Sequence, residues 1–359
     1  MVTFAHAQTL NYPLHQCLNP QGEWCITVDN KLQQAEFLLK AYKHLWRTRL
    51  FDQRAIALQR TGQLGTYASC LGQEAISAAI GFSLQTSDVF VPYYRDQAAQ
   101  LLRGTKMRSI LQFWGGDEWG SFDAPEHDFP ACIPIANQIT HAAGVATALK
   151  LKHQKQAVLS TCGDGASSRG DFYEALNLAG VWHLPLVVVI NNNQWAISVP
   201  LSQQTACETL AQKAIAAGIL GVRVDGNDFF ALMMVVQEAL ERARTGKGAT
   251  LIEAVSYRLC DHTTADDMSR YANPEQKNQA QQQEPLIRFK KMLQQQLGWT
   301  EEQQQQLEQT LRQEIEHEVN AYLSLPKPNP NDMFRYLYSE LATDLAQQRA
   351  DLWQAKSWE

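Results

Sequence analysis

This sequence predicts an α/β fold: a mostly parallel sheet flanked by helices, followed by a helical C-terminal region. Three observations carry that expectation. Ala157–Thr161 and Leu186–Ile190 are short, continuous apolar runs, the pattern of strands buried on both faces. Stretches of strand and helix character alternate between about residues 87 and 255, as in a sheet whose crossovers are helices. After about residue 270 the chain turns to Gln- and Glu-rich segments that keep leucines at helical spacing.

In chain order, residues 1–30 read as an irregular arm, helices dominate from 31 to about 82, and Ser87–Pro92 reads as a strand. Residues 113–130, with Trp114-Gly-Gly, Trp119-Gly and Pro125, form a loop-rich crossing. Gln138 to Leu151 is a helix in which Ala142, Ala143, Gly144, Ala146 and Ala148 permit close packing. The strand at 157–161 runs into Gly163-Asp164-Gly165, and in the helix Gly170–Ala179 the residues Phe172, Ala175, Leu176 and Ala179 mark one apolar face. The strand at 186–190 then runs into Asn191-Asn192-Asn193. This is a βαβ unit with polar residues at the carboxyl ends of two parallel strands, the edge where open parallel sheets bind ligands. A helix at 205–217, a strand at 221–224, a helix at 228–244 and a strand at 250–255 continue the alternation. Leu307, Leu311 and Ile315 hold helical spacing, so the Gln/Glu bias around them marks solvated helix faces. Pro326, Pro328 and Pro330 break the chain before a last helix from about 332 to 354.

The strand-end polar residues form a chemical set. Asp164 offers a hard anionic oxygen and Asn193 a neutral carbonyl oxygen, which suit Mg²⁺ and leave positions for phosphate and water. Gly163 and Gly165, with Ala166 after them, let the backbone approach a diphosphate, and the following helix is expected to point its N-terminal N–H groups at the same anion. Gly-Asp-Gly alone also serves as an ordinary turn; the Asn pair after an intervening βαβ separates the two readings. The arrangement resembles the thiamine-diphosphate fingerprint.

Further stretches narrow the resemblance. Arg60–Tyr67 leading to Gly72-Gln73-Glu74-Ala75, Pro92-Tyr-Tyr-Arg95, Tyr257–Asp267, Glu284–Phe289 and Met333–Tyr338 are similar, in the family's order, to the alpha subunits of thiamine-diphosphate-dependent 2-oxo acid dehydrogenases. The likeness spans roughly residues 25 to 350 and is greatest to bacterial pyruvate-acting members. It implies a thiamine-diphosphate-binding fold, with an arm at 1–30, the diphosphate and Mg²⁺ domain at 31–270 and a helical region at 271–359. It implies that Tyr94 and Arg95 contact the diphosphate, and that the carbonyl of Ile133 and the N–H of Ile135 hold the aminopyrimidine. It also implies that the main-chain carbonyl of Trp195 joins Asp164 and Asn193 on the metal, and that His262 acts near the cofactor phosphate in catalysis or acyl transfer. The loop 257–271 is polar and is expected to need a charged ligand for order.

The family's pyrimidine carboxylate matches no Glu of this chain. The resemblance therefore implies a beta subunit that supplies it, an α₂β₂ assembly, and a lipoyl-bearing acyltransferase core as acceptor. Pyruvate is the expected 2-oxo acid. Branched-chain relatives tend to carry a basic residue before the Asn pair and two histidines in the loop, where this chain has Asn191 and Asp261. A branched-chain or acetoin dehydrogenase is the alternative of the same class, and a catalytically inactive assembly subunit that of another.

Bulk properties exclude other classes. The 359 residues, 45% hydrophobic, suffice for a sizeable core, and a net charge of −6 without a basic run argues against a nucleic-acid surface. Seven scattered cysteines without a CxxC pair read as reduced thiols. The N-terminal residues have neither a basic region with an apolar core nor an Arg-rich character, and no apolar run approaches membrane-spanning length. A cytoplasmic protein is expected.

Overall fold

The structure, a computed structural model, describes residues 12–355, with side chains to residue 352. The chain opens with β1 (Leu14–His15), α1 (Ala35–Arg60), α2 (Glu74–Ser83), β2 (Val89–Val91), α3 (Gln97–Arg103), α4 (Met107–Trp114) and α5 (Asn137–Leu151). β3 (Val158–Gly163), α6 (Gly170–Val181) and β4 (Leu186–Asn192) form the central βαβ unit. A small hairpin, β5 (Trp195–Ala196) and β6 (Val199–Pro200), leads to α7 (Leu201–Gln204), α8 (Lys213–Ala217), β7 (Leu220–Asp225), α9 (Phe229–Arg244) and β8 (Thr250–Val255). α10 (Pro274–Gln282), α11 (Pro285–Leu297), α12 (Glu301–Leu323), α13 (Asp332–Arg335) and α14 (Thr343–Ala355) complete the chain.

The main sheet has six strands in the order β1-β7-β8-β4-β3-β2, all parallel. Its apolar runs are buried on both faces, as the continuous pattern requires. Val187 and Val189 of β4 join a core with Ile76, Ala79, Phe229 and Phe230, and Leu186, Val188 and Ile190 join a second with Ala142, Ala146, Phe172 and Leu176. A third cluster, set by Leu311, Ile315 and Val319 of α12 against Phe51, Leu58 and Leu111, explains the leucine spacing in the Gln-rich region.

Three elements differ from expectation. The arm supplies an edge strand, since Leu14 and His15 pair with Arg223 and Val224. It is pinned by Asp228, whose Oδ2 accepts from the N–H groups of Cys17 (2.6 Å) and Leu18 (2.7 Å) while Oδ1 caps α9. The helix expected at 205–217 starts only at Leu210, because the Gln212 side-chain oxygen captures the N–H groups of Glu208 (3.1 Å) and Thr209 (3.4 Å) and turns the backbone there. The last helix is split: α13 ends at Arg335 and α14 starts at Thr343. Met333, Tyr336 and Leu337 are exposed, so no burial rewards continuing the helix, and Thr343-Asp344 is itself a helix-start signal.

Candidate active site

The carboxyl ends of four neighbouring strands converge on one cavity of about 240 Å³. After β2 come Tyr94 and Arg95, after β3 Asp164, Gly165 and Ala166, after β4 Asn193 and Trp195, and after β8 His262; Gly163 closes β3 itself. Ile133 and Ile135, from the segment ahead of α5, complete the rim. Every site residue named from the sequence thus lines the same cavity.

Local geometry explains the convergence. The segment leaving β8 stays zipped to the exit of β4, with the Ser256 N–H donating to the Asn192 carbonyl (2.8 Å) and the Arg258 N–H to that of Asn193 (3.1 Å). Gly72 has φ +82°, and a Cβ there would lie 2.8 Å from Leu259 Cδ1, so only glycine lets this segment pass α2 so closely. At Gly165 a Cβ would meet that of Ala196 at 2.7 Å, which fixes how tightly the turn after β3 sits on the hairpin. A Cβ on Gly163 would meet nothing within 4 Å, so open space lies beside that strand end. No residue of α6 lines the cavity: a 3₁₀ turn over Asp164–Ser168 intervenes, so the main chain facing it belongs to that turn and not to the helix N-terminus expected from the sequence.

The electrostatics are one-sided. Arg95 is buried and donates to the carbonyls of Ser69 (2.5 Å) and His262 (2.6 Å), with its guanidinium 5.2 Å from the Tyr94 ring centroid. Arg258, fully buried, donates to the carbonyls of Ile197 (2.7 Å) and Cys260 (3.1 Å) and to the Tyr271 hydroxyl (2.5 Å). Among the described residues neither guanidinium forms a direct ion pair; Asp266 acts on Arg258 only through the Tyr271 hydroxyl, which donates to its Oδ2. Burial, and then the neighbouring Arg95 charge, hold Arg258 below its ordinary pKa. Two buried, unpaired cations are expensive without an anion. The sequence reading missed Arg258, although it lies four positions before His262 within the Tyr257–Asp267 match.

His262 stands between these cations, its Nδ1 3.1 Å from Arg95 and 3.5 Å from Arg258. Guanidinium groups only donate, so Nδ1 is the acceptor and the proton of the neutral ring sits on Nε2. Burial, then Arg95 and Arg258, push the imidazole down to about 4, so it stays neutral at ordinary pH. The loop that carries it is tied more firmly than its polar composition suggests. Thr264 exchanges two hydrogen bonds with the Tyr67 backbone (2.9 and 3.0 Å), Asp266 accepts from the His262 N–H (2.7 Å) and Met268 is buried.

Asp164 is 1% exposed, accepts from Gln204 Nε2 at 2.9 Å, and burial pushes its carboxyl up to about 6. A cation would favour its ionised form. No group of three or more His, Cys, Asp or Glu able to hold a metal occurs among the described residues, so a cation here would rest on one carboxylate plus neutral oxygens. Asn193 Oδ1 and the Trp195 carbonyl are such oxygens, and that carbonyl already draws Arg258 to 3.5 Å. On the rim, the Ile133 carbonyl and the Ile135 N–H have no hydrogen-bond partner among the described residues. The donor set therefore fits a hard divalent cation with a diphosphate, beside two free main-chain groups for a heterocycle.

A parallel sheet with an anion-seeking cavity at its strand ends defines the class, and comparison with known families makes it specific. Residues 42–331 match the family described as Dehydrogenase E1 component, and the chain belongs to that family. It is thus a component of a thiamine-diphosphate-dependent 2-oxo acid dehydrogenase. It is 38% identical over 341 residues to a Bacillus subtilis (strain 168) protein named pyruvate dehydrogenase E1 component subunit alpha, covering 93% of this chain and 90% of that one. A Bacillus cereus protein of the same name is 36% identical over 340 residues, with 93% and 90% covered. A Mycobacterium tuberculosis (strain CDC 1551 / Oshkosh) protein named 3-methyl-2-oxobutanoate dehydrogenase subunit alpha is 37% identical over 318 residues, with 88% and 87% covered.

Proposed function

We propose that this chain is the alpha subunit of a pyruvate dehydrogenase, which converts pyruvate and a lipoyl disulfide to CO₂ and an S-acetylated, reduced lipoyl group. The observation that carries this reading is the convergence of Arg95, His262, Asp164 and Asn193 on one strand-end cavity, with Arg258 buried behind its lining against His262 and the Trp195 carbonyl. Thiamine diphosphate, when bound, supplies a thiazolium carbon that adds to the 2-oxo acid and takes up the electrons of decarboxylation. Arg95 and Arg258 balance the diphosphate charge, with Tyr94 and the turn Gly163–Ala166 against it. Asp164, Asn193 and the Trp195 carbonyl hold Mg²⁺. The Ile133 carbonyl and Ile135 N–H take the aminopyrimidine edge. His262, neutral with its proton on Nε2, offers a hydrogen-bond donor without competing as a charge, and serves acyl transfer to the lipoyl arm. The cofactor-holding unit is residues 31–270, with 1–30 as an arm and 271–359 as a helical addition.

A beta subunit completes the site in an α₂β₂ assembly. Asp164 is the one carboxylate among the residues lining the cavity, and it is assigned to the cation, which leaves none for the pyrimidine ring. Ile133, Ile135 and Ile197 at the mouth are 47%, 44% and 56% exposed, an apolar rim that a partner would cover. The assembly delivers acetyl groups to a lipoyl-bearing acyltransferase core in the cytoplasm, a place consistent with the lack of any helix among the described residues long and apolar enough to cross a membrane. The isolated chain should not turn over pyruvate, and adding the beta subunit should restore decarboxylation; turnover by the single chain refutes the two-subunit site.

The similarity to a 3-methyl-2-oxobutanoate dehydrogenase subunit favours a branched-chain substrate as the second reading. Comparing kcat/KM for pyruvate and 3-methyl-2-oxobutanoate on the co-purified pair decides: a preference for the branched acid overturns the pyruvate assignment.

A further inference from the structure

Gln73 belongs to the Gly-Gln-Glu run ahead of α2 and lies outside the cavity lining, 1% exposed. Its Oε1 accepts from two amides at once, Asn193 Nδ2 at 3.1 Å and Asn191 Nδ2 at 2.8 Å. On its other side, Asn193 Oδ1 accepts the Trp195 N–H at 3.2 Å. An Asn amide has a donor end and an acceptor end of nearly equal shape, so a half-turn about its last torsion exchanges them. A cation is held by the oxygen and repelled by the NH₂ group. Asn191 Oδ1 accepts from Ser256 Oγ (3.0 Å) and its Nδ2 also donates to the Tyr93 hydroxyl (2.7 Å); hydroxyls can exchange these roles, so the fixed donor of the network is the Trp195 N–H on Asn193 Oδ1. Rotating the Gln73 amide would set its NH₂ against two other NH₂ groups, and in the arrangement present its own Nε2 is buried without a partner among the described residues, so the oxygen end alone ties Gln73 to the two asparagines.

We propose that Gln73 is a positioning residue for the cation: by holding the Asn193 NH₂ group, it commits the Asn193 oxygen to the cavity. This rests on the reading of Asn193 as a cation ligand. Outer partners that orient a ligand typically change metal affinity about 10- to 100-fold when removed.

The test uses the full chain purified with its beta subunit, thiamine diphosphate in excess, and Mn²⁺ in place of Mg²⁺, with free Mn²⁺ read by electron paramagnetic resonance. Gln73→Met removes the acceptor at similar volume and should weaken Mn²⁺ binding about tenfold or more. Gln73→Glu keeps an acceptor oxygen and should retain binding. Asn193→Asp puts an oxygen at both ends of the side chain, so in that background Gln73→Met should cost little. An equal loss in both backgrounds means that Gln73 acts through general packing and overturns the proposal. Unchanged binding in Gln73→Met, with loss in Asn193→Ala, overturns it while leaving the cation reading intact. Unchanged binding in Asn193→Ala overturns the cation reading, and this proposal with it. If Gln73→Met does not fold, Gln73→Ser withdraws the same acceptor and takes its place in the comparison.

Discussion

Replacing Asp164 with Asn should make the metal-free protein more stable and the loaded protein less so. The carboxyl group is 1% exposed and burial raises its pKa from 3.8 to about 6. A raised carboxyl pKa means that the folded state binds the proton more tightly than the unfolded chain. The stability it contributes is therefore complete below about pH 3.8 and is lost as the pH rises through about 6. At about 1.4 kcal/mol per pH unit, the interval corresponds to about 3 kcal/mol of penalty for the ionised group at pH 8. Asn has the same shape, can accept the bond that Gln204 now gives to Oδ2, and does not ionise. With roughly 2.1 cal/mol/K of unfolding entropy per residue, a 359-residue chain converts that penalty to about 4 °C.

The assay is thermal unfolding of wild type and Asp164→Asn at pH 4 and pH 8, each with and without Mg²⁺ and thiamine diphosphate. Without ligand, the variant should melt about 4 °C higher at pH 8 and level with wild type at pH 4. Free ligand at about 1,000 times Kd stabilises a binder by about 4 kcal/mol, so the order should reverse at pH 8 when ligand is saturating. Two results refute the reasoning: a variant that is no more stable than wild type at pH 8 without ligand, or one that gains as much from the ligands as wild type does.

Arg95→Met should weaken thiamine diphosphate binding about 10- to 100-fold, the scale of hydrogen bonds to a charged group, and unchanged affinity by calorimetry would remove Arg95 from the diphosphate site. His262→Ala should depress acetylation of a lipoyl domain more than decarboxylation read with an artificial electron acceptor; equal losses would deny it a role in acyl transfer. Because its pKa is lowered to about 4, His262 should add no inflection to the activity profile near pH 6.5. The stability tied to its neutral form, full above about 6.5, should fade as pH falls through about 4, which ring-proton NMR can follow.

The sheet was legible because its strands are buried on both faces, and such strands declare themselves as unbroken apolar runs. Leu186–Ile190 is buried throughout, and its alternate residues feed two different cores. The cavity was legible because its polar residues directly follow those runs. What escaped were partnerships between distant segments. Nothing local to Gln73 announces that its oxygen serves Asn191 and Asn193, more than a hundred positions away. Nothing local to Arg258 marks it out, and it is the backbone bonds of Ser256 and Arg258 to the exit of β4 that carry it inward. The two helix boundaries differ for one reason: at 205–209 and 336–342 no core rewards a helix, and the Gln212 side-chain cap or the exposed Tyr336 decides the backbone there.

Several unfavourable features of this molecule meet at the cavity, and together they favour one kind of occupant. Arg95 and Arg258 are buried without an ion pair among the described residues, Asp164 is buried with its pKa raised, and three of the five positive-φ non-glycine residues among the described residues, Ala136, Gln194 and Ile197 (72°, 69° and 54°), lie on or beside the lining. Such strain persists only where the surroundings enforce it, and it gathers at functional sites. An anion alone would relieve the guanidinium groups but worsen the position of Asp164, whereas a cation alone would do the reverse. A diphosphate bound together with a divalent cation relieves both. Each ligand should therefore bind more tightly in the presence of the other, and by linkage the two enhancements must be equal. Titrating Mn²⁺ with and without thiamine diphosphate, and thiamine diphosphate with and without Mn²⁺, measures both factors. Independent binding of the two would mean that the charges around this cavity are arranged for something other than an ion and a diphosphate together.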